Sequence, residues 1–559
     1  MALNVPGVVV MVFFYLMVLG TGIWASFKSK RESKKSSADQ VEMTLLGNRG
    51  INPVVSMFTM TATWIGGGFF ITMAEAAYNP SLGVQEVILI VIANVTGFIV
   101  CGTVFTKPMR DRRFVTMLDP FHIKYGKGVA CLFTILSLIS DLIWVPATLI
   151  SLGAVMSVIL DISYTVSIWI SAAVAITYTL LGGLYSVAYT DVIQLILMFF
   201  SAWLCVPFVM MSPAASSVSN TTLDLNSTGS PPWLGTWEED SIVMKVDTFL
   251  FVAFGFLASQ PIHQRILSAS SSLTAKLSCY AAAVAFVVFA IPPAIIGGVA
   301  VTADWNKTSY GSPSPFERGD GPFIFPITLN YLTPPYIGII GISAVAAAVM
   351  SSTDSALLSA ASTFSNNIYK NILRPQASQR EMQWVIRAVV LVMGVAGTSL
   401  TFTKKGTLVI WYIGASMTYC FLLPQLICVL FLDKANGYGS LTGFVVSLVL
   451  RLLCGWPSLG IPAVLHLPGG FFEDGVHVQR FPVNTLCMLC SLACILTFSY
   501  LTALLFDQGI IPEAWDVLNF LKLPRKLPSL GASNEDKKRR LEEKDPQRDP
   551  SEPMMNTTC

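Results

Sequence analysis

Ser351, Ser352, Ser355, Ser359 and Ser362 form a stripe of hydroxyls inside one long apolar block, and Asp354 sets a carboxylate among them. An ionisable side chain in hydrocarbon is costly, so its presence points to function. Hydroxyls joined by backbone carbonyls suit a hard, oxygen-preferring cation such as Na⁺. Two other blocks could supply the carbonyls. Thr61-Ala62-Thr63-Trp64-Ile65-Gly66-Gly67-Gly68 puts three glycines in mid-block, which loosens a helix. Gly255-Phe256-Leu257-Ala258-Ser259-Gln260-Pro261 ends in a proline, which removes a backbone donor and crowds the preceding turn. Irregular backbone survives at membrane depth only where it lines a cavity. Small-residue helix packing through Ala344, Ala346 and Ala347 is the competing explanation for the serine block.

Other reactive residue types lead nowhere comparable. The four histidines, His122, His263, His466 and His477, form no ligand pair and no Asp/Ser constellation, so an intramembrane enzyme is not expected. His263 reads as a gating or packing residue near a broken helix, and Arg265 beside it as a mark of the membrane boundary. Cys487, Cys490 and Cys494 have metal-like spacing but no His or carboxylate beside them, and read as small apolar residues. None of the eleven cysteines lies in a long polar loop, so no disulfide framework is implied.

The elements that must position these residues are membrane spans. Of 559 residues, 53% are hydrophobic and 12% charged. That is half the charge of a soluble domain, about 25%, which excludes a soluble enzyme and a disordered protein. A net charge of +2 leaves no basic field for nucleic acid. One bilayer crossing takes about 20 apolar residues. Thirteen spans are predicted, at 4–27, 50–79, 82–106, 129–160, 164–182, 186–211, 246–269, 275–302, 333–370, 383–403, 408–432, 439–457 and 483–506. The expected fold class is an all-α polytopic membrane protein. Residues 1–528 form its transmembrane domain, and the polar stretch 529–559 a disordered cytoplasmic tail. The first span lacks a small-residue cleavage site and reads as a retained anchor.

Lys28, Lys30, Arg31, Lys34 and Lys35 follow the first span, and Lys107, Arg110, Arg112 and Arg113 the third. Arg374 and Arg380 follow the ninth, and Lys537 to Arg540 lie in the tail. With alternating spans all of these share one side, which the positive-inside rule makes cytoplasmic. The N-terminus is then outside and the C-terminus inside; Lys404 and Lys405 oppose the rule. Asn220, Asn226 and Asn306 each begin an N-x-[ST] match in an outer loop, so glycosylation is expected there. The two breaks lie five spans apart, as an inverted repeat of five helices plus five requires, with core repeats at about 50–211 and 246–432. Interrupted helices at matching places in two halves point to a transporter's binding site.

Gly182-Gly183-Leu184-Tyr185-Ser186-Val187-Ala188-Tyr189-Thr190-Asp191, taken with the Trp64 and Ser351 runs, resembles the sodium:solute symporter family, and within it the choline-transporting members. Lys107-Pro108-Met109-Arg110, the stretch 115–121, Asp304-Trp305-Asn306 and Pro424-Gln425-Leu426 agree, and the resemblance covers roughly 5–520. It implies a leucine-transporter-like core and import of choline across the plasma membrane, coupled to sodium and dependent on chloride. Synaptic-vesicle or endosomal membranes are a second expected location. No cofactor is implied, and the partners are the solute, sodium, chloride and membrane lipid. Carried over by position, the sodium ligands are the carbonyls of Ala62, Ile65 and Ala348 and the hydroxyls of Ser351 and Ser352, with Asp354 and Asp191 as coupling residues.

Choline is a quaternary ammonium with no N–H to donate, so aromatic faces must hold it through cation–π contact. Trp64, Trp144 and Trp411 match tryptophans of those members, and Ser259 and Gln260 complete the expected substrate residues at the second break. Three positions depart from the pattern: Ser259 and Glu86 stand where a tryptophan is usual, and Ala93 where an aromatic is. The alternative reading is a sodium-coupled symporter of the same fold for a different organic cation, amine or zwitterion.

Overall fold

The computed structural model describes residues 5–35, 40–160, 162–215, 233–236, 242–403, 406–473 and 476–528. Asn220, Asn226, Lys404, Lys405 and the tail 529–559 lie outside the described residues.

Backbone polar groups have no water to bond in hydrocarbon, so each apolar stretch must close its own hydrogen bonds as a helix. Among the described residues, nine helices are long and apolar enough to cross a membrane. Two further spans are bent pairs, Pro53–Trp64 with Gly67–Tyr78 at 46° and Ile242–Ala258 with Gln260–Ser268 at 49°. Shorter apolar helices, Tyr164–Thr177 and Gly437–Leu453, fill the fifth and twelfth places. Each of the thirteen expected spans therefore has its helix, and both expected interruptions are there.

The boundaries differ in instructive ways. The fourth span begins ten residues early, in a helix Asp119–Leu160 that crosses a break at Gly126. The fifth and sixth run together as Tyr164–Met210 and turn at Gly183, whose φ of 66° is left-handed and favours glycine. The Gly182-Gly183 motif is thus a corner between spans. A short antiparallel hairpin, Phe471–Glu473 with Val476–Val478, pairs Phe472 with His477 in the loop before the last span and leaves the all-α class unchanged.

Burial sorts the helices. The serine-bearing helix Pro335–Thr363 is buried along most of its length and packs on Asp119–Leu160 and Tyr164–Met210. Ser272–Thr302 packs on both halves of the first bent pair. The last span, Val483–Asp507, packs chiefly on Gly437–Leu453 and is otherwise largely exposed. The centre therefore consists of the two bent pairs and the helices that touch them.

Candidate functional site

The first break is explained by what lies against it. Helix Pro53–Trp64 starts at Asn52, whose side chain accepts the Val55 N–H at 2.9 Å. It ends where the Ile65 N–H returns to the Thr61 carbonyl at 2.8 Å and the backbone leaves helical geometry (φ −94°, ψ 82°). Carbonyls of a last turn have no following helical donor, so Ala62 and Ile65 reach the break with oxygens the helix does not use. A Cβ on Gly66 would sit 1.7 Å from Ser352 Oγ, and one on Gly67 2.0 Å from Val349 Cγ2. A Cβ on Gly68 would meet nothing nearer than Ser151 Oγ at 3.5 Å. Two of the three glycines therefore serve close approach to the serine helix rather than loosening of the chain.

The second break has a different local cause from the one expected. After Ile242–Gly255 the chain tightens through Phe256–Ala258, Ser259 is extended (φ −107°, ψ 126°), and Gln260–Ser268 begins. Pro261 stands in the first turn of that second half, where a helix needs no N–H. The proline starts a helix instead of splitting one. The freed Leu257 carbonyl accepts from His263 Nε2 at 2.7 Å, so the buried histidine braces the break.

Trp64, Trp144 and Trp411 come together between the breaks. Trp64 lies 5.0 Å from Trp144 and 6.4 Å from Trp411 between ring centroids, and Trp144 lies 6.3 Å from Trp411. Phe256, from the second break, adds a fourth ring 5.0 Å from Trp64. The Trp64 indole N–H donates to Asn94 Oδ1 at 2.7 Å. Sequence reading passed over both partners, although Phe256 sits inside the second interrupted motif and could have been found there. Trp64, Trp144 and Trp411 border a cavity of about 60 Å³ that Ser259 and Ser352 also line, whereas Phe256 packs behind Trp64. Gln260 is turned away from it. Its Oε1 accepts the Met117 N–H at 2.7 Å and its Nε2 donates to Ser362 Oγ at 3.4 Å, so its carboxamide is engaged elsewhere. Ala93 is buried outside the cavity lining, and Glu86 accepts from the hydroxyl of Tyr412, which stacks on Trp411 at 5.9 Å.

The expected sodium ligands divide into two neighbouring groups. Ser352 and the Ala348 carbonyl face Gly66, beside Ala62 and Ile65. Ser351 points the other way and donates to the Asp191 carboxylate, which also accepts from Thr59. Arg265 adjoins this second group, fully buried rather than at a membrane boundary. Its Nε donates to Thr63 Oγ1 at 2.8 Å, its Nη2 to Ser355 Oγ at 2.6 Å, and Nη2 stands 3.7 Å from Asp191. Asp354 lies on another face, with Oδ1 accepting from Thr179 at 2.5 Å and Oδ2 without a hydrogen-bond partner among the described residues. The Ser352 hydroxyl and the Ala348 carbonyl thus lie against the first break, with the Asp191 carboxylate in the neighbouring group beyond Ser351, and oxygens of these kinds suit a small hard cation.

Known proteins resemble the chain along most of its length. The model of the sodium:solute symporter family matches residues 45–447. High-affinity choline transporter 1 of Torpedo marmorata is 40% identical over 524 residues, covering 93% of this chain and 89% of that protein. The Homo sapiens protein described as high affinity choline transporter 1 is 40% identical over 520 residues, with the same two coverages. Among solved structures, a Na⁺-coupled sialic acid symporter in a substrate-bound outward-open state aligns with a TM-score of 0.67 at 18% identity, over 89% of this chain and 98% of that one. Mhp1, a nucleobase-cation-symport-1 family transporter, aligns at 0.51 and 14% identity, over 88% and 98%.

Proposed function

The chain belongs to the sodium:solute symporter family, and we propose that it imports choline, or a close quaternary ammonium, by coupling to sodium. It is a transporter and not an enzyme. The observation that carries the substrate reading is the cluster of Trp64, Trp144, Trp411 and Phe256 at the junction of the two breaks.

A cation held between two π faces sits within about 6 Å of each centroid and cannot enter between rings only 5.0 Å apart. Binding then requires the Trp64–Trp144 pair to part. Trp64 is the last helical residue before Ile65, whose carbonyl is a proposed sodium ligand. Sodium held by Ala62, Ile65, Ala348 and Ser352 draws the break against the serine helix and fixes the peptide that carries Trp64. Ion and substrate thus bias the same hinge, which is what coupling requires. Asp191 extends the oxygen set through Ser351, and Asp354 is the second coupling candidate.

The orientation proposed is N-terminus outside and C-terminus cytoplasmic. It is supported by Arg49, whose Nη2 donates to the Arg113 carbonyl at 2.9 Å, and by Arg112, whose Nε donates to the Pro528 carbonyl at 3.2 Å. These contacts gather basic residues and the C-terminal segment at one end. The plasma membrane, with vesicle or endosomal membranes as a second location, is part of the same proposal.

Uptake of radiolabelled choline by expressing cells, with sodium replaced by lithium and chloride by gluconate, tests the reading. Accumulation that is lost in lithium is expected. The chloride dependence carried over from the family predicts a fall in gluconate as well. Surface-expressed protein that takes up no choline in sodium overturns the substrate assignment. Ser259 in the cavity wall favours a second reading, in which another organic cation, amine or zwitterion is carried. Sodium-dependent uptake of such a solute without choline uptake would select it.

A further inference from the structure

The chain from Asp507 to Lys526 does not trail away from the last span but folds back over the molecule. Leu518 and Leu523 lie against Gly126, where an added Cβ would meet Leu523 Cδ1 at 3.2 Å. Leu518 also reaches Gly437, and its N–H donates to the Tyr438 hydroxyl at 3.1 Å. Phe520 packs on Phe506 with centroids 6.0 Å apart. The returning segment therefore walls a half-open cavity of about 560 Å³ between the start of Asp119–Leu160, the turn after Phe431 and the end of the last span. Ligand sites for small molecules are commonly about 300–1,000 Å³.

The charge in this cavity is uneven. Four cations line it, Lys124, Lys434, Arg525 and Lys526, against two carboxylates, Asp433 and Asp507. Both carboxylates are already committed. Asp507 takes a two-pronged bond from Arg525, at 2.5 and 3.1 Å, and Asp433 pairs with Lys526 at 3.2 Å. Lys434 instead lies over the Tyr500 ring at 5.1 Å, and Lys124 donates to the Leu432 carbonyl. Lys124 is 5% exposed, and neither it nor Lys434 has an ion-pair partner among the described residues. A buried lysine and an exposed, stacked one thus contribute a surplus of two positive charges to a half-open cavity.

We propose that this cavity is a binding site for a phosphorylated anion of polyphosphate type, such as the headgroup of a polyphosphoinositide. Lys124 and Lys434 meet the phosphates, and Arg525 and Lys526 open from their carboxylate partners to close over them. The position fits an inner-leaflet lipid, since basic pockets between spans on the cytoplasmic side take such headgroups. The leaflet assignment rests on the orientation proposed above; the site itself does not.

The full chain in phosphatidylcholine nanodiscs exposes both faces, so the test is independent of orientation. Phosphatidylinositol bisphosphate in the disc, or inositol trisphosphate in solution, is expected to bind in calorimetry and to raise the unfolding temperature. Binding of the lipid alone assigns a membrane ligand, and binding of both assigns the headgroup chemistry. Lys434→Gln and Lys124→Gln should each weaken binding about fivefold, and Lys434→Arg should retain it. Should Lys124→Gln fail to fold, Lys434→Gln against Lys434→Arg still decides. No binding of either probe by the wild-type chain, or equal binding by Lys434→Gln, overturns the proposal, whatever choline uptake shows.

Discussion

Among single residues, Trp64 carries the most. It contacts three other rings and spends its indole N–H on Asn94. Desolvated cation–π attraction is about 2 kcal/mol or more, so Trp64→Ala should cost roughly thirty-fold in apparent choline affinity. Trp64→Phe should recover part of that, because a smaller ring still presents a π face. Equal uptake kinetics for wild type and Trp64→Ala would remove this residue from the cage. Ser351 and Ser352 are indistinguishable in sequence, and the structure separates them. Ser352 faces Gly66 and the cavity, and a ligand contact worth about 1 kcal/mol makes Ser352→Ala raise half-activating sodium about fivefold. Ser351 is one of two hydroxyls donating to the fully buried Asp191 carboxylate. Losing a hydrogen bond to a charged group costs about 1.5–3 kcal/mol, so Ser351→Ala should first lower the yield of folded protein at the surface. Sodium titrations normalised to surface protein separate the two effects; identical behaviour of the two variants would contradict the division.

At the level of the elements, the broken spans were legible and their causes only partly so. Three consecutive glycines and a Gly-to-Pro run mark both interruptions, although Pro261 opens the second half-helix rather than weakening a ladder, and Gly66 and Gly67 serve close approach. What no local pattern states is the neighbour. Gly66 and Gly67 exist for Ser352 and Val349, which lie more than two hundred residues away, and that proximity arises only on packing. Arg265 escaped for the same reason, since its partners Thr63, Ser355 and Asp191 come from three other helices. The Trp64, Trp144 and Trp411 cluster was legible because each matched a family tryptophan, whereas Gln260, expected among the substrate residues at the second break, turns toward Met117. The glycines supply a sharp contrast. Gly66→Ala must push a Cβ into Ser352 Oγ and should abolish sodium-dependent uptake even where protein reaches the surface. Gly68→Ala meets only ordinary contacts and should reach the surface folded, and since it borders the cavity without pressing on the serine helix it should lower uptake far less than Gly66→Ala. Wild-type transport by Gly66→Ala would mean that the break and the serine helix are not held this closely.

For the whole molecule, sidedness decides what every site can meet. Thirteen alternating spans follow from apolar length alone, but which end faces outward rests on charge, and Lys404 and Lys405 speak against the assignment from outside the described residues. Packing adds an independent line. The Asp304 N–H donates to the Ala214 carbonyl at 2.8 Å, and the Phe316 N–H donates to the Tyr78 hydroxyl at 3.0 Å. The loop bearing Asn306 therefore sits at the end where the second and sixth spans finish, opposite the Arg49 and Arg112 contacts. Asn306 itself is exposed, in the short turn Trp305–Lys307. If that end is extracellular, glycosidase treatment of the wild-type chain should increase its gel mobility. Asn306→Gln should migrate faster than wild type before treatment and lose less on digestion. Asn220→Gln and Asn226→Gln, at the outer loop between the sixth and seventh spans, should add to the change if those sites are used. A wild-type chain and an Asn306→Gln chain that run alike before and after digestion would leave the outward assignment without its glycan. A tag placed after Pro528 that antibody reaches on intact, unpermeabilised cells would reverse it outright.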